Sequence, residues 1–118
     1  MLIDSATGAA LHATLLQDVV ALRRLSDGLR RYASDNLAGD ALNSAAYQLH
    51  NIYNALENAF SQIARAFPGQ VKDASAWHRD LANLMFLDMA PLRPAVLPEE
   101  VRHIVDNLRG FRHVFRHA

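Results

Sequence analysis

The sequence contains no cysteine. Disulfide bonds, thiolate metal sites and a cysteine nucleophile are therefore excluded, and a reducing compartment is favoured. No apolar run approaches the ~20 residues that a membrane-spanning helix needs. The N-terminal residues also lack the basic start of a signal peptide. These absences predict a cytoplasmic, soluble protein without a membrane partner.

The net charge is zero, because 12 Lys and Arg residues balance 12 Asp and Glu residues. A neutral molecule is not drawn as a whole to nucleic acid. The charges are unevenly distributed, however. The segment from Arg102 to Ala118 holds four arginines, three histidines and a single acidic residue, Asp106. Groups that bind phosphate or transfer protons near neutral pH are thus concentrated at this end, where we expect any chemistry to lie.

Apolar residues recur at spacings of three and four along most of the chain, which predicts α-helices, and no stretch shows the alternation of a strand. Helical patterns cover residues 11 to about 33, 41 to 67, a shorter segment that Asp73 or Ser75 can cap, and 98 onward. Glycine- or proline-containing breaks separate them at 34–40, 68–69 and 89–98. A chain of 118 residues is one domain by length. The prediction is a single all-α domain, 1–118, folded as an antiparallel up-down four-helix bundle with room for a short fifth helix.

The second helical pattern is long for so small a bundle, since its 27 or so residues would extend about 40 Å. Its surplus length is most easily buried against a second copy of the chain, so the pattern favours a homodimer. Tyr53 and Glu57 lie one turn apart at the edge of its apolar stripe. They are either a functional pair or a hydrogen bond at the edge of the bundle.

On a helical wheel of the last segment, six apolar residues share an arc of about 120°. They are Val101, Ile104, Val105, Leu108, Phe111 and Phe115. Arg112 falls inside this arc and begins a contiguous basic sector. The sector consists of Arg112, Arg116, Arg109, Arg102, His113 and His117, with Asp106 interrupting it.

An arginine on an apolar face is costly unless it is paired, and such departures from good packing cluster at functional sites. The alternative is that Arg112 extends along the apolar surface to water, or pairs with Asp88 or Glu57. His113 and His117 could chelate a metal from one helix face, but no third ligand joins them at a matching spacing. The sequence therefore predicts neither a metal nor a cofactor. Adsorption of this helix to a membrane is disfavoured because its apolar face is needed for the core.

The segment LRGFRHVFRHA at 108–118 resembles the C-terminal motif of the HEPN superfamily, in particular the HepT-like toxins of HEPN–nucleotidyltransferase toxin–antitoxin pairs. Their signature is an arginine, a polar residue, three further residues and a histidine. Here these positions are Arg112, His113 and His117. Trp77-His78 and Arg93-Pro94 are also similar to this branch.

This resemblance implies a metal-independent endoribonuclease that works as a homodimer, cleaves RNA and is inhibited by a nucleotidyltransferase-like antitoxin. HepT-like toxins typically carry a tyrosine two residues after the motif histidine. That position would follow Ala118, so these residues carry no expectation of control by tyrosine modification.

RNA supplies its own nucleophile, the 2′-OH, so metal-free cleavage needs a base, an acid and cations for the phosphate. The expected roles are His117 as general base or acid, Arg112 as transition-state clamp, and His113 as substrate orienter or second proton carrier. Arg109, Arg116 and Arg102 would bind flanking phosphates. The product would end in a 2′,3′-cyclic phosphate.

Arg112 and His117 are about 140° apart on a straight helix. They could converge through the reach of Arg112, through a bend in the last turn, or across a dimer, which we favour. Two readings of other classes stay open. One is a non-catalytic HEPN-like module that binds a nucleotide or a partner nucleotidyltransferase. The other is a plain helical dimerisation domain with structural arginines.

Overall fold

The computed structural model describes residues 5–33, 36–67 and 77–116. They form four α-helices: α1 (Ser5–Arg30), α2 (Gly39–Ala66), α3 (Trp77–Met85) and α4 (Arg102–Arg116). A 3₁₀ turn, Glu99–Val101, leads into α4. The only β feature in this part of the chain is an isolated bridge between Met89 and Arg93. The predicted all-α helical bundle is confirmed.

Helix α2 is the element on which the others are assembled, because α1, α3 and α4 all pack against it. Its buried residues recur at helical spacing on one side: Ala45, Tyr53, Ala59, Phe60, Ile63 and Ala64. The main core joins this side to the buried residues of α3 and α4, namely Leu81, Ala82, Met85 and Val105. Alanines at several of these positions let the helix axes approach closely, while Phe60 and Met85 fill the space between them.

Helix α1 begins at Ser5, six residues before the expected start at residue 11. It lies along α2, with Leu11 and Leu15 partly buried against the core and Asp18 accepting a hydrogen bond from Gln62 at 2.9 Å. None of its residues is fully buried. Val19 continues the apolar spacing of Leu11 and Leu15 and was expected to be buried with them, but it is 44% exposed, which corrects that expectation. The stripe of α1 that α2 covers is narrower than the apolar pattern.

The predicted loop at 89–98 is confirmed, and Arg93 organises it. The guanidinium of Arg93 donates hydrogen bonds to the carbonyl oxygens of Leu84 at 2.9 Å, Leu87 at 3.2 Å and Pro94 at 3.0 Å. Two of these carbonyls lie at the C-terminal end of α3 and just beyond it, where a helix leaves acceptors unsatisfied. Arg93 is 8% exposed, so its buried charge is compensated by backbone oxygens.

Asp88, one of the two carboxylates considered as partners for Arg112, lies beyond the end of α3 and is exposed. Its carboxylate accepts a hydrogen bond from the backbone N–H of Ala90 at 3.1 Å. The expected caps of that helix, Asp73 and Ser75, lie outside the described residues.

The start of α4 is fixed to α3 through Arg102. Its guanidinium contacts both carboxylate oxygens of Glu99, at 2.6 and 3.1 Å, and the Oδ1 atom of Asn83 at 3.1 Å. The same group lies 4.4 Å from the centroid of the Phe86 ring. These contacts set the rotation of α4 about its own axis. Val105 is buried in consequence, whereas Ile104, expected on the core face, is 49% exposed, which corrects that assignment.

No helix among the described residues is long and apolar enough to span a bilayer.

Candidate functional site

The C-terminal half of α4 lies against a polar patch on α2. This patch, the α2 patch, consists of His50, Tyr53, Asn54 and Glu57. The spacings of three and four residues place these side chains on one face over two turns of the helix. The α2 patch contacts the same half of α4 that carries the candidate motif.

Arg112 contacts the α2 patch directly. Its Nε–H donates a hydrogen bond to the Oδ1 atom of Asn54 at 3.2 Å, and the side chain is half-buried. An arginine within the apolar arc of α4 therefore reaches a neutral amide across the helix interface. The positive charge is held in place without being neutralised by this partner.

Asn54 connects Arg112 to a histidine. Its Nδ2 atom lies 3.1 Å from Nε2 of His50, one turn earlier on α2. The Nε of arginine can only donate, so the amide oxygen faces Arg112 and the amide nitrogen faces His50. Nε2 of His50 is then the acceptor, and the proton of the neutral imidazole is on Nδ1. The amide of Asn54 can satisfy both neighbours in one orientation only.

The imidazole of His50 is also held by aromatic contacts with α4. Its ring is stacked on Phe115, with centroids 4.7 Å apart and planes inclined by 30°. Phe115 in turn lies 5.9 Å from Phe111. Nδ1 of His50 is buried and has no hydrogen-bond partner in the described part of the chain. His50 is thus half-buried between the two helices, with its Nδ1 atom inaccessible to solvent.

Tyr53 lies beneath this layer and is completely buried. Burial raises the pKa of its phenol well above the usual range, and the carboxylate of Glu57 raises it further, while the guanidinium groups of Arg109 and Arg112 act in the opposite direction. The phenol therefore stays protonated at physiological pH. The candidate pair Tyr53 and Glu57 lies within the field of both arginines, which links it to the motif helix.

Arg109 is the second cation next to the α2 patch. It is half-buried, with one terminal nitrogen 3.7 Å from the carboxylate of Asp106 one turn away. Its Nε atom is buried and has no hydrogen-bond partner within the described ranges. Arg109 and Arg112, three residues apart, present two guanidinium groups on the α2 side of α4.

The other predicted site residues are placed differently. His113 and Arg116 are exposed near the C-terminal end of α4. Arg102 is ten residues, about 15 Å along the helix axis, from Arg112, and its guanidinium is engaged by Glu99 and Asn83. The structure therefore brings Arg109 and Arg112 together and leaves Arg102 apart. His117, the predicted proton carrier, lies outside the described residues.

Sequence reasoning missed His50 and Asn54 as members of the site. Their spacing of four residues, in register with Tyr53 and Glu57, was a visible signal of a continuous face. Nothing in that spacing specifies that this face meets the motif helix. No group of three or more His, Asp or Glu side chains that could hold a metal ion occurs within the described ranges.

The family described as HepT-like protein matches residues 44–118. The matched region contains most of α2 and all of α3 and α4, and hence both sides of the contact between Asn54 and Arg112. Comparison with curated proteins gave no match, and comparison with solved structures gave none either.

Proposed function

The chain belongs to the HepT-like family of the HEPN superfamily, and from this premise we propose that it is a metal-independent endoribonuclease toxin. The substrate is RNA, and the proposed site consists of Arg112, His113 and His117. The inhibitor that the family implies is a nucleotidyltransferase-like antitoxin.

The observation that supports this proposal most directly is the anchoring of Arg112 by Asn54. Cleavage by a 2′-OH creates a pentacoordinate phosphate with extra negative charge. A cation already oriented in the free protein stabilises that charge without reorganising during the reaction, and loss of one such preorganised group costs about 100- to 1,000-fold in rate. A half-buried arginine held by a neutral amide suits this role. Arg109, one turn away, adds a second charge for the RNA backbone.

The two proton transfers are assigned to the histidines of the motif. One imidazole takes the proton of the 2′-OH, O2′ bonds to phosphorus, and the bond from phosphorus to O5′ breaks. The other group protonates O5′, leaving a 2′,3′-cyclic phosphate and a 5′-hydroxyl. His117 is the principal carrier, and the exposed His113 orients substrate or transfers the second proton.

A homodimer is part of the proposal, because a helical wheel separates Arg112 and His117 by about 140°. Two apolar residues of α4 favour it: Ile104 is 49% exposed and Val114 is 65% exposed. The chain is also elongated, with a radius of gyration of 15.9 Å, against about 13.5 Å for a compact domain of this length. Pairing of two copies through this exposed face of α4 would cover both residues.

The test is cleavage of a defined RNA oligonucleotide by the wild type and by His117→Ala. We expect the wild type to produce 2′,3′-cyclic ends and the variant to produce none, with helical content and dimer mass unchanged. His12→Ala, which changes an exposed histidine on α1, is the matched control and should cleave normally. Equal cleavage by His117→Ala and wild type, from highly purified samples, would contradict the assignment.

The same basic residues could bind a nucleotide phosphate without catalysis. The discriminating result is nucleotide binding by a wild-type protein that leaves RNA intact, which would select the non-catalytic module. Arrest of cell growth on expression of the wild type, relieved by the motif substitutions, would support the toxin.

A further inference from the structure

We propose that Asn54 is a positioning residue for Arg112 and that His50 fixes the orientation of the Asn54 amide. This inference rests on the proposed function, since it assigns to α2 the residues that aim the phosphate-binding arginine of α4. It extends the site to a second helix and to residues 58 and 62 positions before Arg112.

The first step concerns the arginine. A free arginine side chain samples many rotamers, and immobilising it costs up to about 2 kcal/mol of conformational entropy. The hydrogen bond from Nε to Asn54 fixes a direction that lies within the plane of the guanidinium. Fixing the Nε–H direction narrows the range of directions in which the terminal nitrogens point. Asn54 thereby orients the guanidinium of Arg112 before RNA binds.

The second step concerns the chemistry at position 54. An aspartate would also accept from Nε, but its negative charge would compete with the phosphate for Arg112. An alanine would leave the arginine without this anchor. A neutral amide holds the guanidinium without adding a negative charge of its own at position 54.

The third step concerns His50. An amide can present either its oxygen or its nitrogen, and only the first accepts from Arg112. Nε2 of His50 lies 3.1 Å from Nδ2 of Asn54, and in the Nδ1-protonated imidazole it accepts a hydrogen bond from the amide N–H, which favours that orientation. The imidazole of His50 is held in turn by its stack on Phe115, which lies on the same helix as Arg112. Arg112, Asn54, His50 and Phe115 thus form a continuous set of contacts that leaves α4, crosses α2 and returns to α4.

The experiment has two readouts on the same set of proteins: wild type, Asn54→Ala, Asn54→Asp, His50→Gln and His50→Leu. Asn58→Ala, an exposed asparagine one turn further along α2, is the matched control. The first readout is solvent exchange of the Arg112 Nε–H in ¹⁵N NMR, with the signal identified by its loss in Arg112→Lys. The second readout is kcat and KM for RNA cleavage.

In Asn54→Ala we expect Nε–H exchange to be faster and kcat to fall by about 10- to 100-fold, with KM less affected, because the cation is present but misaligned. Adding Asn54→Ala to Arg112→Ala should cause no further loss, since the two residues act as one unit. Asn54→Asp should keep the slow exchange and lose cleavage. In His50→Gln the side-chain carbonyl can still accept a hydrogen bond from Asn54, so slow Nε–H exchange and kcat should be retained. Both should be lost in His50→Leu.

The two proposals can fail separately. A wild type that leaves RNA intact overturns the proposed function, and the exchange of the Arg112 Nε–H in wild type and Asn54→Ala then decides the positioning role alone. If the wild type cleaves RNA but Asn54→Ala matches Asn58→Ala in exchange and kcat, the positioning role is overturned and the function stands.

Discussion

Arg112 on α4 donates its Nε–H to the Oδ1 atom of Asn54 on α2, 58 residues earlier in the chain. The orientation of the Arg112 side chain is therefore set by the packing of α4 on α2 as well as by the motif that contains it. A chain can therefore carry every residue of the motif and still misorient Arg112, if α4 is rotated relative to α2.

Arg112→Lys tests whether direction or charge matters. Lysine keeps the positive charge but loses the Nε–H that Asn54 accepts and the planar fork that matches phosphate oxygens. We expect the single-turnover cleavage rate to fall by about 100-fold or more. Binding of a non-cleavable 2′-deoxy substrate should change much less, since it depends mainly on charge. A lysine variant that cleaves at the wild-type rate would show that charge alone suffices.

Val114→Glu tests the proposed dimer. Val114 is 65% exposed in a single chain, so the substitution removes no internal packing and the helical content should stay unchanged. In a dimer formed through α4 it would bury a carboxylate without a partner, which is strongly unfavourable. We expect the mass measured by light scattering to shift from dimer to monomer, and cleavage to fall with it.

Leu16→Glu is the control for this change, because Leu16 is 55% exposed but lies on α1. It should leave the mass unchanged. A dimer mass for Val114→Glu equal to that of the wild type would rule out an interface centred on this part of α4.

Arg93→Ala tests the framework that carries α3 into α4. The substitution removes three charge-assisted hydrogen bonds to the carbonyl oxygens of Leu84, Leu87 and Pro94. We expect the free energy of unfolding, from urea denaturation, to decrease by about 2–4 kcal/mol. Arg93→Lys should recover only part of this loss, because one ammonium group cannot replace the planar guanidinium.

Arg79→Ala provides the comparison, since the Arg79 side chain is 62% exposed. It should change stability by less than about 0.5 kcal/mol. An equal effect of the two substitutions would mean that the buried guanidinium of Arg93 contributes nothing beyond an exposed one.

Much of the architecture was predictable because it depends on local rules. Helical periodicity and the proline-rich break at 89–98 gave the number and order of the helices, and the boundaries of α2 agreed within two residues. The start of α1 lies six residues before the predicted one, because the helix runs through Thr7 and Gly8, two residue types that are common at helix caps. A capping signal does not decide where a helix starts when neighbouring residues can extend it.

The rotation of α4 and the composition of its surroundings were not predictable from the same rules. A helical wheel places Ile104 and Val105 on one broad apolar arc, yet only Val105 is buried. The choice between them follows from the contacts of Arg102 with Asn83 and Phe86, which join residues distant in sequence. For the same reason, the anchoring of Arg112 by Asn54 was not predicted, although the unusual position of Arg112 was.

The pair Glu99 and Arg102 gives a prediction for the dependence of stability on pH. The hydrogen bond from Arg102 lowers the pKa of the Glu99 carboxyl in the folded protein. A carboxyl with a lowered folded-state pKa stabilises the fold above its unfolded-state pKa of about 4.3, and this contribution disappears as the pH falls through the folded-state value. Glu99→Gln should therefore lower the urea midpoint slightly at pH 7, and the difference from wild type should close towards pH 3. The effect should be small because the pair is open to solvent.

Glu100→Gln is the control for removing one negative charge at the same helix end. A difference between Glu99→Gln and wild type that is as large at pH 3 as at pH 7 would show that the ion pair is not its cause, and the attachment of α4 would then rest on Asn83 and Phe86 alone.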